Sequence, residues 1–174
     1  EYLKTNTSGT YSKENIRPWV EGNNVSLKDV EDKKIYSLIT NYITKLSIVT
    51  SLKYKEIIYP TFTDLVLWNK TKSMPTHVDD KIQGFEHRYI TTVTYLNDNF
   101  TGGKTFVNNQ EYQPKKGHTL IFKSKDPHGV TKITSGQRGI FYIRVYYATK
   151  NRISTRYQQT NHTYWSRRAM DRLR

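Results

Sequence analysis

Tyr89-Ile90-Thr91-Thr92-Val93-Thr94-Tyr95-Leu96, closed by Asn97-Asp98-Asn99, is the stretch that decides the fold. Its residues are β-branched or aromatic almost throughout, which suits a pleated strand, and the Asn-Asp-Asn run ends it. The same pattern recurs at Asp64–Trp68, Thr76–Asp79, Lys104–Val107, His118–Lys123, Val130–Ile133 and Gly139–Tyr147. Gly102-Gly103 and Pro114-Lys115-Lys116-Gly117 mark further turns. Ahead of these strands, Val30, Ile35, Leu38, Ile39, Tyr42, Leu46 and Val49 follow helical spacing. Ser26, with Asp29 three positions on, resembles a capping box, so a helix is predicted over 27–52. Many short strands after one long helix predict a mainly β fold with a flanking helix. The expected form is a jelly-roll or cupin-like double sheet, with the helix buttressing one face.

Composition sets the outer limits. The chain has 174 residues, enough for one domain with a tail. Three segments are expected: an irregular lead-in over 1–25, the main domain over 26–150, and a basic extension over 151–174. The extension carries Arg152, Arg156, Arg167, Arg168, Arg172 and Arg174 against one acid, Asp171. It reads either as an exposed terminal extension or as an arm for an anionic partner. Net charge is +13, so nucleic acid or another polyanion is a candidate partner beside a peptide or protein substrate. Cysteine is absent, which excludes disulfides, thiolate catalysis and cysteine-bound metals. No apolar run approaches the length of a membrane span. Glu1-Tyr2-Leu3-Lys4 reads as the start of a mature chain, and neither the compartment nor the oligomeric state is legible.

Three features then fall in order. In His77-Val78-Asp79, a strand would put the imidazole and the carboxylate on one face, able to hold one metal from one side. His128 follows on a different strand. Two imidazoles and one carboxylate fill one face of an octahedron and leave three positions open, as in non-haem iron(II) oxygenases. Arg138 lies ten positions after His128, behind Gly136-Gln137. Its guanidinium is a planar fork suited to a carboxylate, such as the far end of a metal-chelating dicarboxylate.

With these features the sequence resembles the prolyl hydroxylases, within the wider 2-oxoglutarate oxygenases. The resemblance runs from about Asp64 to Tyr147. It rests on His77-Val78-Asp79, Tyr95-Leu96-Asn97, Gly102-Gly103-Lys104-Thr105-Phe106, Pro114 through Gly117 to Phe122, and His128-Gly129-Val130 leading to Gly136-Gln137-Arg138. It implies a double-stranded β-helix, with Fe(II), 2-oxoglutarate and O₂ as cofactors and ascorbate as a candidate reductant. It also implies oxidative decarboxylation to succinate and CO₂, coupled to hydroxylation. His77, Asp79 and His128 match the metal ligands, and Arg138 matches the anchor of the distal carboxylate. Tyr95 matches a tyrosine supporting that carboxylate, and Thr105 matches a pocket-lining position. Tyr142, four after Arg138, is expected to share its face and close the pocket.

Two positions depart from the pattern. Met74 stands where many relatives carry a tyrosine, and it cannot donate to a carboxylate. Arg144 stands where relatives often carry a tryptophan. It is expected either to pair with a nearby acid or to meet the co-substrate or an acidic substrate. Asp80 is expected to face away from the metal. Arg144, Trp68 and His87 are the candidate substrate contacts, with His87 in the loop 81–88 beside Phe85, Glu86 and Arg88. The carboxylate of Asp79 argues for hydroxylation rather than halogenation. The leading expectation is a peptidyl-proline hydroxylase. The alternatives are the same chemistry on peptidyl lysine or a nucleic-acid base, or a jelly-roll binding module without catalysis.

Overall fold

The computed structural model describes residues 9–10, 23–27, 30–79 and 88–147. Its elements run β1 (Gly9–Thr10), β2 (Asn23–Ser26), α1 (Lys33–Tyr54), β3 (Ile58–Trp68), β4 (Met74–His77), β5 (Arg88–Tyr95) and β6 (Thr101–Gly102). They continue through β7 (Thr105–Val107), β8 (Gln110–Tyr112), β9 (Thr119–Lys123), β10 (His128–Val130), β11 (Ile133–Ser135) and β12 (Arg138–Tyr147). A six-stranded antiparallel sheet has the order β1-β2-β3-β12-β5-β9. A four-stranded sheet, β4-β10-β7-β8, and the pair β11-β6 complete the jelly-roll. No helix among the described residues is long and apolar enough to cross a membrane.

Period-2 alternation lets the large sheet bury both faces. One set of side chains, including Leu65 and Ile90, packs with Ile43 and Leu46 of α1. The other set, Val66, Trp68, Val93, Tyr95, Phe122 and Ile140, meets Val107 and Val130 of the small sheet. The helix is also fastened by a polar contact, Tyr42 Oη to Thr94 Oγ1 at 2.8 Å. Along β5, therefore, Thr94 faces the helix while Val93 and Tyr95 face the interior between the sheets.

Several boundaries differ from the sequence expectation. The helix is 33–54 rather than 27–52, because Asp32 is the cap: its carboxylate accepts from the Lys34 and Ile35 amides at 2.9 and 3.0 Å. Ser26 instead ends β2, paired with Asp64 and six residues before the cap. The lead-in 1–25 is not irregular throughout: β1 pairs with β2, and β2 covers the edge of β3 that would otherwise offer unpaired amides. Asp29, the remainder of the lead-in and the whole extension 151–174 lie outside the described residues.

The strand expected over Thr76–Asp79 ends at His77. That expected over Val130–Ile133 is two strands, β10 and β11, separated by Thr131-Lys132. Strand β8 was not expected. It exists because Asn108 and Asn109, at φ 49° and 65°, form a tight hairpin turn that returns the chain onto β7.

Gly129 is the point of closest approach in the small sheet. A Cβ there would sit 2.3 Å from Phe106 Cζ and 2.6 Å from the Met74 carbonyl oxygen. The Gly129→Ala variant should therefore be destabilised by about 1–3 kcal/mol, the usual cost of overpacking. Thermal denaturation reads this directly, and an unchanged midpoint would show that β4 and β10 are not packed as described.

Candidate functional site

Antiparallel pairing of β4 with β10 sets His77 directly opposite His128. Opposed residues of such a pair project to one side, so the two rings meet with centroids 4.3 Å apart. Each ring is turned by its own backbone. Nδ1 of His77 lies 2.9 Å from the Pro75 carbonyl oxygen, and Nδ1 of His128 lies 2.8 Å from that of Asp126. A carbonyl can only accept, so Nδ1 carries the proton in each ring and the Nε2 lone pair of the neutral ring is left for a metal.

Asp79 lies just beyond β4, fully buried. Its amide donates to the Ser124 carbonyl at 2.8 Å, a contact that carries the chain back after the strand ends. The carboxylate oxygens lie 3.8 Å from His77 Nε2 and 3.6 Å from His128 Nε2. One donor atom from each of the three residues falls within 4.8 Å of the others. Two imidazoles whose Nε2 atoms converge on a buried carboxylate fit a divalent iron, with one face of the coordination sphere supplied by protein.

A second centre surrounds Arg138, at the start of β12 and 1% exposed. Its guanidinium carbon lies 5.1 Å from the Trp68 ring centroid and 5.5 Å from that of Tyr95. Burial lowers its pKa to about 10, an effect partly offset by Tyr95, so the group is cationic at neutral pH. Nη2 donates to Thr105 Oγ1 at 3.0 Å, and the Tyr95 hydroxyl donates to the same oxygen at 2.7 Å. Thr105 thus accepts twice, and its own proton is available as a donor. Among the described residues, the buried Arg138 Nε and Nη1 and the Trp68 indole nitrogen have no hydrogen-bond partner. A buried cation with N–H groups left over, beside an indole N–H, is the complement of a carboxylate.

Asn97 fixes the backbone on both sides of Arg138. Its side chain accepts from the Gly139 amide at 2.7 Å and donates to the Gln137 carbonyl at 2.8 Å.

The structure brings His77, Asp79 and His128 together at one centre, and Arg138, Tyr95 and Thr105 at the other. Asp79 joins the two histidines by a route other than the expected strand parity, because the strand has already ended. Trp68, expected at the substrate, instead lies buried against Arg138. Met74 is half-buried against the core between the sheets. The β12 register sets Tyr142 opposite Val93 and Arg144 opposite Thr91, while their side chains lie outside the described residues. Asp80, His87 and the rest of 80–87 also lie outside them.

Sequence reasoning missed Thr91 and Ser124, both fully buried, which bond to each other at 3.0 Å. Thr91 also donates to Asp79 Oδ2 at 2.9 Å. Thr91 shares strand parity with Tyr95, a signal that places it on the interior face. Ser124, in a turn, gives no such signal.

Comparison with known proteins agrees with this geometry. Residues 63–148 match the family model described as the 2OG-Fe(II) oxygenase superfamily. No curated protein matches the chain. Among solved structures, a Pseudomonas putida prolyl-4-hydroxylase is 13% identical, with a TM-score of 0.59 over 78% of this chain and 77% of that one. The viral collagen prolyl hydroxylase vCPH from Paramecium Bursaria Chlorella virus-1, in its 2OG complex, is 14% identical, with a TM-score of 0.56 over 74% and 80%. An oxidoreductase of the 2OG-Fe(II) oxygenase family from Burkholderia pseudomallei is 16% identical, with a TM-score of 0.46 over 51% of this chain. The chain spans 45% of that protein's length. At these identities the likeness is one of fold, and the motif and the site carry the rest. With its two imidazoles, one carboxylate and buried arginine on a jelly-roll frame, the segment 63–148 is a domain of the 2OG-Fe(II) oxygenase superfamily.

Proposed function

We propose that this domain is an Fe(II)- and 2-oxoglutarate-dependent hydroxylase acting on a peptidyl residue, with proline as the substrate residue. The observation that carries the reading is the pairing of the two centres. One offers three metal donors, and the other offers a buried cation whose Nε and Nη1 have no acceptor among the described residues. His77 Nε2, His128 Nε2 and the Asp79 carboxylate would hold the iron. Arg138 Nε and Nη1, with the Thr105 hydroxyl, would bind the distal carboxylate of 2-oxoglutarate. Tyr95 holds Thr105 in place through its hydroxyl, and Asn97 holds the backbone of Arg138. When bound, Fe(II) with 2-oxoglutarate and O₂ supplies oxidative decarboxylation to succinate and CO₂, with the second oxygen atom entering a substrate C–H bond. Burial of Trp68 and Tyr95 against the Arg138 guanidinium keeps water from the anchor, which strengthens a charge-assisted contact there.

Proline is favoured by the Tyr95-Leu96-Asn97, Gly102-Gly103 and His128-Gly129-Val130 segments, which resemble the prolyl type. Peptidyl lysine is the nearest alternative. The +13 charge favours a second reading, the same chemistry on a base in nucleic acid. Succinate release, with ascorbate as reductant, tests these substrates side by side: proline-rich and collagen-like peptides, lysine peptides and methylated oligonucleotides. Turnover confined to the oligonucleotides would overturn the peptidyl reading.

Variants at His77, His128 and Arg138 separate the centres. His77→Ala and His128→Ala should each abolish Fe(II)-dependent succinate release from a folded protein, because each removes one of three protein ligands. Full turnover in either would end the ligand assignment. Arg138→Ala should retain metal binding while its 2-oxoglutarate affinity falls by about 2–5 kcal/mol, the range for losing one partner of a buried charged contact. Arg138→Lys should fall between it and the parent, since a point charge replaces a fork. Isothermal titration with 2-oxoglutarate reads both, and parental affinity in Arg138→Ala would remove Arg138 from the site.

A further inference from the structure

We infer that Thr91 is a positioning residue for the metal centre. It holds one carboxylate oxygen of Asp79 so that the other is presented to the ion. The inference rests on the reading of His77, Asp79 and His128 as metal ligands.

Asp79 enters the site with little support from secondary structure. It follows β4 by two residues, and one backbone hydrogen bond, from its amide to the Ser124 carbonyl, draws it inward. That contact fixes the main chain but leaves rotation about the Cα–Cβ and Cβ–Cγ bonds. The Thr91 hydroxyl restricts that rotation by donating to Oδ2 at 2.9 Å. Thr91 can do so because the parity of β5 directs it to the interior along with Val93 and Tyr95.

Counting protons gives the direction of the chain of bonds. Thr91 has one hydroxyl proton and gives it to Asp79. The 3.0 Å contact between Thr91 Oγ1 and Ser124 Oγ must then be donated by Ser124. The order is Ser124 to Thr91 to Asp79, all three fully buried. Ser124 thus acts twice, through its carbonyl on the Asp79 amide and through its hydroxyl on the residue that orients the Asp79 carboxylate.

The consequence concerns coordination. A carboxylate free to offer both oxygens can occupy two metal positions. Both oxygens face the imidazoles, Oδ1 at 3.8 Å from His77 Nε2 and Oδ2 at 3.6 Å from His128 Nε2, but the Thr91 hydrogen bond occupies Oδ2 and weakens it as a second donor, so binding through one oxygen is favoured. Three protein donor atoms then leave three positions open, the number needed for a bidentate co-substrate and O₂. A hydrogen bond behind a metal-bound carboxylate also raises the order of the site before the ion arrives, and losing such partners commonly costs 10–100-fold in metal affinity.

The test is Mn(II) binding to the purified protein by isothermal titration, paired with the melting temperature of each metal-free variant. Thr91→Val keeps the shape and removes the donor. It should bind Mn(II) about 10–100-fold more weakly, and the rise in melting temperature on adding Mn(II) should shrink. Thr91→Ser restores a hydroxyl and should recover most of the affinity. A merely structural threonine predicts a different outcome: a lower metal-free melting temperature with parental Mn(II) affinity, which would overturn the inference. If Thr91→Val does not fold, Ser124→Ala carries the test, since it leaves the Thr91 hydroxyl without its donor. A several-fold loss of affinity supports the inference, and parental affinity overturns it. His128→Ala serves as the reference. If His128→Ala binds Mn(II) like the parent, or the parent does not bind Mn(II), the ligand assignment itself fails and Thr91 falls with it. If His128→Ala loses Mn(II) and Thr91→Val does not, only the role of Thr91 is lost.

Discussion

The register between β4 and β10 is the constraint on which the rest of the site depends. It sets His77 opposite His128, and a slip of one residue would turn one of the two rings to the other side of the sheet, away from its partner. Three features hold it. β10 is bound on its other edge by β7, so it is a central strand of its sheet. Gly129 removes the side chain that would strike Phe106 and the Met74 carbonyl. The carbonyls of Pro75 and Asp126, each two residues before its histidine, accept from Nδ1. The same local geometry therefore fixes strand pairing, ring orientation and tautomer together.

The large sheet supplies what the small one lacks. Its interior face carries Trp68, Tyr95 and Arg138 at one end, and Thr91 lies four residues before Tyr95 on the same strand. Those four residues span about 13 Å at the usual rise. One straight strand thus serves both the carboxylate of the metal centre and the hydroxyl beside Arg138. A buried guanidinium is costly to the folded state unless an anion offsets it. Burial already lowers the Arg138 pKa to about 10, and a bound carboxylate would raise it again. Co-substrate binding and stability should therefore be coupled, since a ligand that binds only the folded form stabilises it.

The sequence showed much of this through residue type, and less through position. His77, Asp79, His128 and Arg138 stood out because few residue sets can serve a three-donor metal site and a carboxylate anchor in that order. The long strands β5 and β12 were legible from their β-branched and aromatic residues. The helix start was misread because Ser26 with Asp29 mimics a cap, while the working cap, Asp32, lies six residues on. β2 was hidden by Asn23-Asn24: an outer strand over β3 draws its stability from backbone pairing as well as from side-chain pattern. Trp68 was expected at the substrate, whereas the register β12–β3 sets it opposite Arg138, a pairing that only the fold reveals. Ser124 had no signal at all, since it acts from a turn, where no strand parity marks its hydroxyl, and through a carbonyl that every residue possesses.

The most direct measurement is a crystal structure grown with Mn(II) and 2-oxoglutarate. The account predicts an anomalous peak bounded by His77 Nε2, His128 Nε2 and one oxygen of Asp79, with the distal carboxylate within hydrogen-bond distance of Arg138 Nε or Nη1. A metal bound elsewhere, or a co-substrate carboxylate that leaves those two nitrogens without an acceptor, would contradict it.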